Sequence, residues 1–324
     1  QTAGLPGRYV AFLYDAKGTH PSARLAGSRG WVRPDGKVVA DAPDELRAGP
    51  RYPLRLDEFG ADRIAASFEL RENGAALAWT GSDLDGITRF NGKYPPDVGS
   101  SAFTCDGWTQ ARADRYGGLG AGGASGREFT EHSFDTCNQK HRLFCFGVGN
   151  QAEVVLPQVA GRLAYVTRTN WTPGGGLAAA DRACQSEAQA AGRAGTFRAL
   201  LATSTGSAAS RFDGTKAPWV RPDGTPVTER GNSLQTEAIP FEVPPMLDAR
   251  GEPVKRGYWL GATALRAPGT PASTCGNWSD GRATARGRAG QTSTSVAPYL
   301  ALGAIDARCD GTEGGEHGLL CLQE

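Results

Sequence analysis

The sequence has no excess of either charge. Its 35 Lys and Arg stand against 34 Asp and Glu, and the formal net charge of +1 draws it neither to nucleic acid nor to an anionic membrane. It has no apolar run approaching the roughly 20 residues a membrane-spanning helix needs, so no membrane span is expected. The opening QTAGLPGRYV has neither the positive nor the apolar part of a signal peptide, and no methionine precedes Gln1, so the expectation is that something upstream was removed or lies outside this sequence. Enzyme signatures are missing too: there is no G-x-S-x-G, no H-E-x-x-H, no Walker loop and no G-x-G-x-x-G between strand and helix. His20, His132, His141 and His317 have no motif partners and read as ordinary surface histidines. No enzyme is expected, and no cofactor.

What is present is a loop-rich globular composition. Only 39% of residues are hydrophobic, and 45 Gly and 20 Pro accompany a moderate charged fraction, so folding is expected with much irregular structure. A chain of 324 residues can form two domains, each with its own core. The seven cysteines are Cys105, Cys137, Cys145, Cys184, Cys275, Cys309 and Cys321, and none has C-x-x-C spacing or a histidine at finger spacing. They read as disulfide formers in an oxidising, extracellular setting.

The hexapeptide WVRPDG occurs at residues 31–36 and again at 219–224, and it aligns the chain with itself. GLPGRYVAFL at residue 4 matches GRAGTFRALL at 192, AWTGSD at 78 matches YWLGAT at 258, TCDGWT at 104 matches TCGNWS at 274, and RLFCF at 142 matches GLLCL at 318. Collinear matches of this kind are the mark of a duplicated domain. The organisation read from them is domain 1 over 1–149, a linker over 150–161 and domain 2 over 162–324. Domain 2 opens with a strand, RLAYVTRT at 162–169, and a helix over 177–192 with Leu177, Ala180, Cys184 and Ala188 on one face and Gly192 as its stop. Domain 1 is expected to lack both, since Gln1 falls where that helix would end.

The ordered set W-x-G-(S/A), T-C-x-x-W and a terminal pair of cysteines separated by 7 to 11 residues, with ADRACQSEAQAAGRAGTFRALLATS, resembles the endostatin domain of collagens XV and XVIII. YVTRTNWTPGGGLAAADRAC is similar to the lead-in of bacterial endostatin-like, C-type-lectin-like surface proteins. The resemblance covers nearly all of both copies. It implies an α+β, C-type-lectin-like fold: a small twisted antiparallel sheet, flanking helices and long loops tied by disulfides. It implies pairing of Cys184 with Cys321, Cys275 with Cys309 and Cys105 with Cys137. Four cysteines alone allow three connectivities. Copy one lacks the counterpart of Cys184, so the implied pairing leaves Cys145 alone, to be satisfied by a cleaved N-terminal fragment or a neighbouring chain.

WVRPDG is a duplicated hairpin turn or a duplicated reactive site. Pro presets φ, Asp favours the turn and Gly accepts positive φ, so the turn reading is preferred. Trp79, Trp108, Trp259 and Trp278 could stack on sugar, but beside glycine and cysteine they read as core around a disulfide, while Trp171 has no counterpart. Calcium-dependent sugar binding is disfavoured, because Glu252-Pro253-Val254, Asn277-Trp278-Ser279-Asp280 and the Asp83 and Asp85 pair do not complete a ligand set. Endostatin's N-terminal zinc histidines have no match here, and a formylglycine-generating role for Cys145 is disfavoured by its RLFCF setting.

Two candidate ligand surfaces remain. One is the long loop carrying Phe90, Tyr94 and Phe103. The other is an acid-free flexible loop carrying Arg282, Arg286 and Arg288, for which a plain solvated loop is the competing reading. The expectation is a secreted or cell-surface bacterial adhesion protein that recognises a glycan or a surface or matrix protein. The alternative is a subunit of an extracellular filament, completed by a neighbour.

Overall fold

The computed structural model describes residues 3–63, 77–82, 103–237, 240–292, 306–312 and 317–324. Within them the chain is mixed α+β, with small sheets, few helices and three disulfides. It divides into two compact units, Gln1–Leu156 and Pro157–Glu324. The stretch before the division belongs to unit 1. Asn150 Nδ2 donates to the Arg29 carbonyl at 3.1 Å, and the Val154 N–H donates to Asp41 Oδ1 at 2.8 Å.

In unit 1, β1 (Arg8–Ala11) pairs antiparallel with β8 (Cys145–Val148), and β2 (Trp31–Val32) pairs with β3 (Val38–Ala40). A separate sheet joins β4 (Leu77–Trp79), β5 (Tyr116–Ala121), β6 (Ser133–Thr136) and β7 (Arg142–Leu143) in the order β6-β5-β4-β7. The run from Leu143 to Phe146 alternates with the two-residue period of a strand. Phe144 and Phe146 are buried with Phe12, Leu25, Trp31 and Phe129, whereas Leu143 and Cys145, on the opposite face, are exposed.

Unit 2 contains β9 (Arg162–Val166), a helix over Gly176–Ala190, β10 (Phe197–Ala199), β11 (Trp219–Val220), β12 (Gly257–Trp259), β13 (Arg286–Gln291), β14 (Asp306–Arg308) and β15 (His317–Gln323). These strands form one sheet along the path β11-β9-β15-β12-β13-β14, with β10 also beside β15. β9 lies between β11 (parallel) and β15 (antiparallel), so this strand ties the WVRPDG arm to the rest of the sheet. The helix buries Ala180, Cys184 and Ala188, a four-residue spacing that places small side chains on one face and lets the backbone lie close to the sheet. Gly192, at φ +70, allows the left-handed step that follows the helix.

Both copies of WVRPDG form the expected turn. Gly36 N donates to Arg33 O and Gly224 N to Arg221 O, each at 2.9 Å, with the glycines at φ 81 and 82. Arg33 pairs with Asp35 and Arg221 with Asp223, each at 2.6 Å, and the two guanidiniums also donate to Pro53 O and Pro244 O. The arginines are 3% and 6% exposed while their aspartates are 34% and 39% exposed, so each pair braces the turn from a buried guanidinium to a half-buried carboxylate. Trp31 Nε1 donates to Gly147 O at 2.8 Å and Trp219 Nε1 to Gln323 O at 2.9 Å, anchoring each turn to its last strand.

Candidate functional site

The T-C-x-x-W motif sets the geometry of the site. Cys105, Asp106, Gly107 and Trp108 take φ values of 49, 53, 69 and 67, and Cys275, Gly276, Asn277 and Trp278 take 48, 59, 55 and 69. Each is a single left-handed turn, a costly backbone for non-glycine residues that persists only where surroundings over-determine it. The middle positions carry Asp-Gly or Gly-Asn, the residue types that tolerate this region best. The preceding threonine hydroxyl accepts from Gly107 N at 3.2 Å and from Asn277 N at 3.1 Å. A disulfide holds the start of each turn, Cys105–Cys137 and Cys275–Cys309, and a Trp indole holds its end: Trp108 Nε1 donates to Tyr14 O at 2.8 Å and Trp278 Nε1 to Ala202 O at 2.7 Å.

A second tryptophan packs against the first in both units. Trp79 and Trp108 lie 6.0 Å apart edge to face, and Trp259 and Trp278 lie 5.9 Å apart, both pairs at 63°. Glycine is required on the neighbouring strand. A Cβ on Gly117 would come within 2.4 Å of the Trp79 ring, and one on Gly287 within 2.5 Å of Cys275 Sγ. A histidine joins each pair at 4.7 Å, His141 with Trp79 and His317 with Trp259. His141 also bonds Asp135 at 2.9 Å. The His141 side chain is 8% exposed and His317 is buried, which corrects their reading as surface residues. The matched H-x-L of His141-Arg142-Leu143 and His317-Gly318-Leu319 extends the RLFCF repeat by one residue and was the available signal.

The two sites differ in what covers them. In unit 2, Trp171 lies 6.1 Å from Trp278, and its carbonyl accepts from Trp259 Nε1 at 2.9 Å. The helix then packs over the pair, and Cys184 bonds to Cys321. Trp259 and Trp278 are 1% and 0% exposed. In unit 1, Trp79 and Trp108 are only half-buried and, with Cys105, Thr109, Gln110, Ala111 and Cys137, line a surface cavity of about 230 Å³. Among the described residues no acceptor meets the Trp79 indole N–H. The expectation that all four tryptophans fill core therefore holds in unit 2 and is corrected in unit 1.

The same contrast extends along the strands. Tyr9, Val32 and Leu143 are 43%, 50% and 48% exposed, while the matched Phe197, Val220 and Leu319 are 1%, 4% and 0% exposed. Covering each such side chain is worth about 1.5–3 kcal/mol, so the open face is a substantial apolar liability in water. Cys145 is exposed beside it, whereas the matched Cys321 is buried in its disulfide. Desolvation by neighbouring atoms, and then the Glu58 carboxylate, hold the Cys145 thiol above its ordinary pKa, so it is mostly protonated at neutral pH.

The two surfaces expected from sequence fare differently. Phe103 is 1% exposed and packs 5.7 Å from Phe134, so it is core and not an exposed loop aromatic. Phe90 and Tyr94 lie outside the described residues, as do Asp83 and Asp85. Arg286 and Arg288 belong to β13, not to a flexible loop, because their segment pairs with β12 and β14. Arg288 has Asp306 at 3.4 Å, and Arg282 is held in a two-point pair by Asp280, just outside the acid-free stretch. The three disulfides are the pairs that the endostatin resemblance implies, and such bonds are typical of extracellular proteins. Among the described residues no helix is long and apolar enough to cross a membrane, and no group of three or more metal-ligating side chains converges. No protein-family model matches the chain, and no curated protein matches it.

Proposed function

We propose that this chain is a non-enzymatic, secreted or surface-exposed binding protein of two endostatin-like, C-type-lectin-like domains that arose by duplication. Support for the duplication is the residue-by-residue match of turn, left-handed motif, disulfide, Trp pair and histidine. Recognition is assigned to unit 1. The observation that carries this reading is its open apolar face, where Tyr9, Val32, Leu143, Trp79 and Trp108 are accessible although their counterparts in unit 2 are buried. Exposed aromatic and aliphatic side chains, together with a cavity walled by two tryptophans, are common features of ligand-binding surfaces. The ligand class is a protein or glycan of the extracellular space.

A second reading, a filament subunit completed by its neighbour, is favoured by one specific feature. The edge of β7 and β8 that corresponds to the β9-paired edge of β15 has no strand against it among the described residues. Unpaired strand edges are templates for strand addition.

The test is binding of the full chain to arrays of extracellular glycans and matrix proteins, compared with Leu143→Asp. Retention by the wild type, with at least about a tenfold loss in the variant, is the expected result. Equal binding by both would remove the face from the function. Light scattering against concentration tests the filament reading, which requires growth beyond a monomer.

A further inference from the structure

We infer that the open face of unit 1 is a docking site for a polypeptide segment of the β9-helix kind, a strand followed by a helix carrying Asp-x-x-Cys, which bonds covalently to Cys145. This rests on the proposed role of that face and names its partner by chemistry. Unit 2 holds such a segment on the matched residues and so shows what each contact requires.

Three independent parts of the face retain the half of an interaction whose other half the segment supplies in unit 2. The first is the sulfur: Cys321 is bonded to Cys184 of the helix, while Cys145 is free and exposed. The second is a cation. In unit 2, Arg211 Nη1 donates to Ala199 O at 2.5 Å and its Nη2 reaches Asp181 of the helix at 2.7 Å. In unit 1, Arg24 Nη1 makes the same bond to Ala11 O at 3.1 Å, and among the described residues no carboxylate pairs with it. The third is the cavity at Trp79 and Trp108, whose counterpart is covered by Trp171 and flanked by the helix start at Leu177. Asp181, Cys184 and Gln185 act together in unit 2, since Asp181 and Gln185 also accept from the N–H groups of Ala199 and Phe197 at 3.0 and 2.9 Å. The matched positions in unit 1 are Ala11 and Tyr9. The partner segment therefore carries Asp three residues before its cysteine and an acceptor just after it.

The covalent step is thiol–disulfide exchange, and the incoming cysteine arrives as a disulfide. The Cys145 thiol loses its proton to solvent, and its thiolate attacks the segment's cysteine sulfur. The new S–S bond forms as the old one breaks, and the displaced thiolate leaves and takes up a proton. No external oxidant or reductant is consumed.

The test uses the full chain and a synthetic peptide of residues 161–192, with Cys184 as its 2-thiopyridyl disulfide. One equivalent of thiopyridone should be released, peptide mapping should place the adduct on Cys145, and the rate should exceed that of a scrambled peptide with the same cysteine by at least about tenfold through templated proximity. Asp181→Asn in the peptide, or Arg24→Ala in the protein, should each remove about five- to tenfold of that advantage, and both together no more than either alone. A Cys184→Ser peptide should bind reversibly, quench tryptophan fluorescence and be blocked by Leu143→Asp, an exposed position that does not threaten folding.

Equal rates for the scrambled peptide, or no reversible binding by the serine peptide, would overturn the inference. So would a Cys145-linked dimer of the chain that no peptide displaces, because it would make a second copy the occupant. If the peptide fails while Leu143→Asp still abolishes glycan or matrix-protein binding, the face is a ligand site of other chemistry and only this inference falls. If both fail, the reading of the face falls with it.

Discussion

Unit 1 and unit 2 contain the same braced turn, the same left-handed Cys-to-Trp turn and the same indole-to-carbonyl anchors, yet one hides its tryptophans and the other leaves them half open. Among the described residues, the difference is one strand and one helix. Where β9 is present, it links the WVRPDG arm to the last strand and produces a single seven-stranded sheet. Among the described residues of unit 1 no strand pairs as β9 does, the strands form three small sheets, and the last strand is interrupted at Phe144. Local motifs thus hold their geometry through disulfides and backbone anchors, while burial of the second face depends on a remote segment.

The largest expected contrast is between Leu319→Asp and Leu143→Asp. A charge buried without a partner at 319 should cost more than about 4 kcal/mol, whereas the exposed 143 should change stability by less than about 0.5 kcal/mol. Denaturant melts of both variants, followed by tryptophan fluorescence, check this. Equal losses would mean that unit 1 is closed in solution.

Next comes the Cys184–Cys321 bond, which spans 137 residues of sequence. Replacing both cysteines by alanine should remove about 4–5 kcal/mol by the loop-entropy argument. It should also make unit 2 resemble unit 1 in protease sensitivity, with new cuts within 162–192 on limited digestion. Persistence of the wild-type digestion pattern would show that packing alone holds the helix.

A smaller effect separates the matched arginines. Arg211→Ala removes a pair with Asp181 that is largely screened from water and should cost about 1–3 kcal/mol, while Arg24→Ala should cost less than about 1 kcal/mol. Thermal melts of the two variants suffice, and a larger loss from Arg24→Ala would reveal a carboxylate partner for it.

The smallest effect is electrostatic. The Arg282 guanidinium holds the Asp280 carboxyl down to about 2, below its ordinary 3.8, so its contribution is present above pH 4 and is lost as pH falls towards 2. At the matched position unit 1 carries Gln110, and its Arg112 pairs instead with Asp114, whose carboxyl is likewise held below its ordinary range. Carboxyl chemical shifts of Asp280 against pH give the midpoint, and a value near 3.8 would mean the pair does not persist in solution.

Much of the local structure was legible. Arg-Pro-Asp-Gly announces its turn because Pro and Gly restrict φ directly, and the 177–192 helix announces itself by its four-residue spacing and closing glycine. Phe103 was misread because it ends a Pro- and Gly-rich stretch, and nothing local shows that Phe134 on a distant strand receives its ring. Arg286 and Arg288 read as loop residues because they stand among glycines, which are poor strand formers, and pairing on both edges overrides that preference. The open face itself was hinted at by the unmatched Cys145, while Arg24, Leu143 and His141 emerged only when each could be set beside its counterpart.

By itself, the sequence determined what neighbouring residues enforce: the turns, the 177–192 helix, the repeat and the odd cysteine. Only the tertiary structure decided which matched side chains are buried. Burial depends on what lies across the sheet, and the residues that cover unit 2 are more than a hundred positions from the strand they protect.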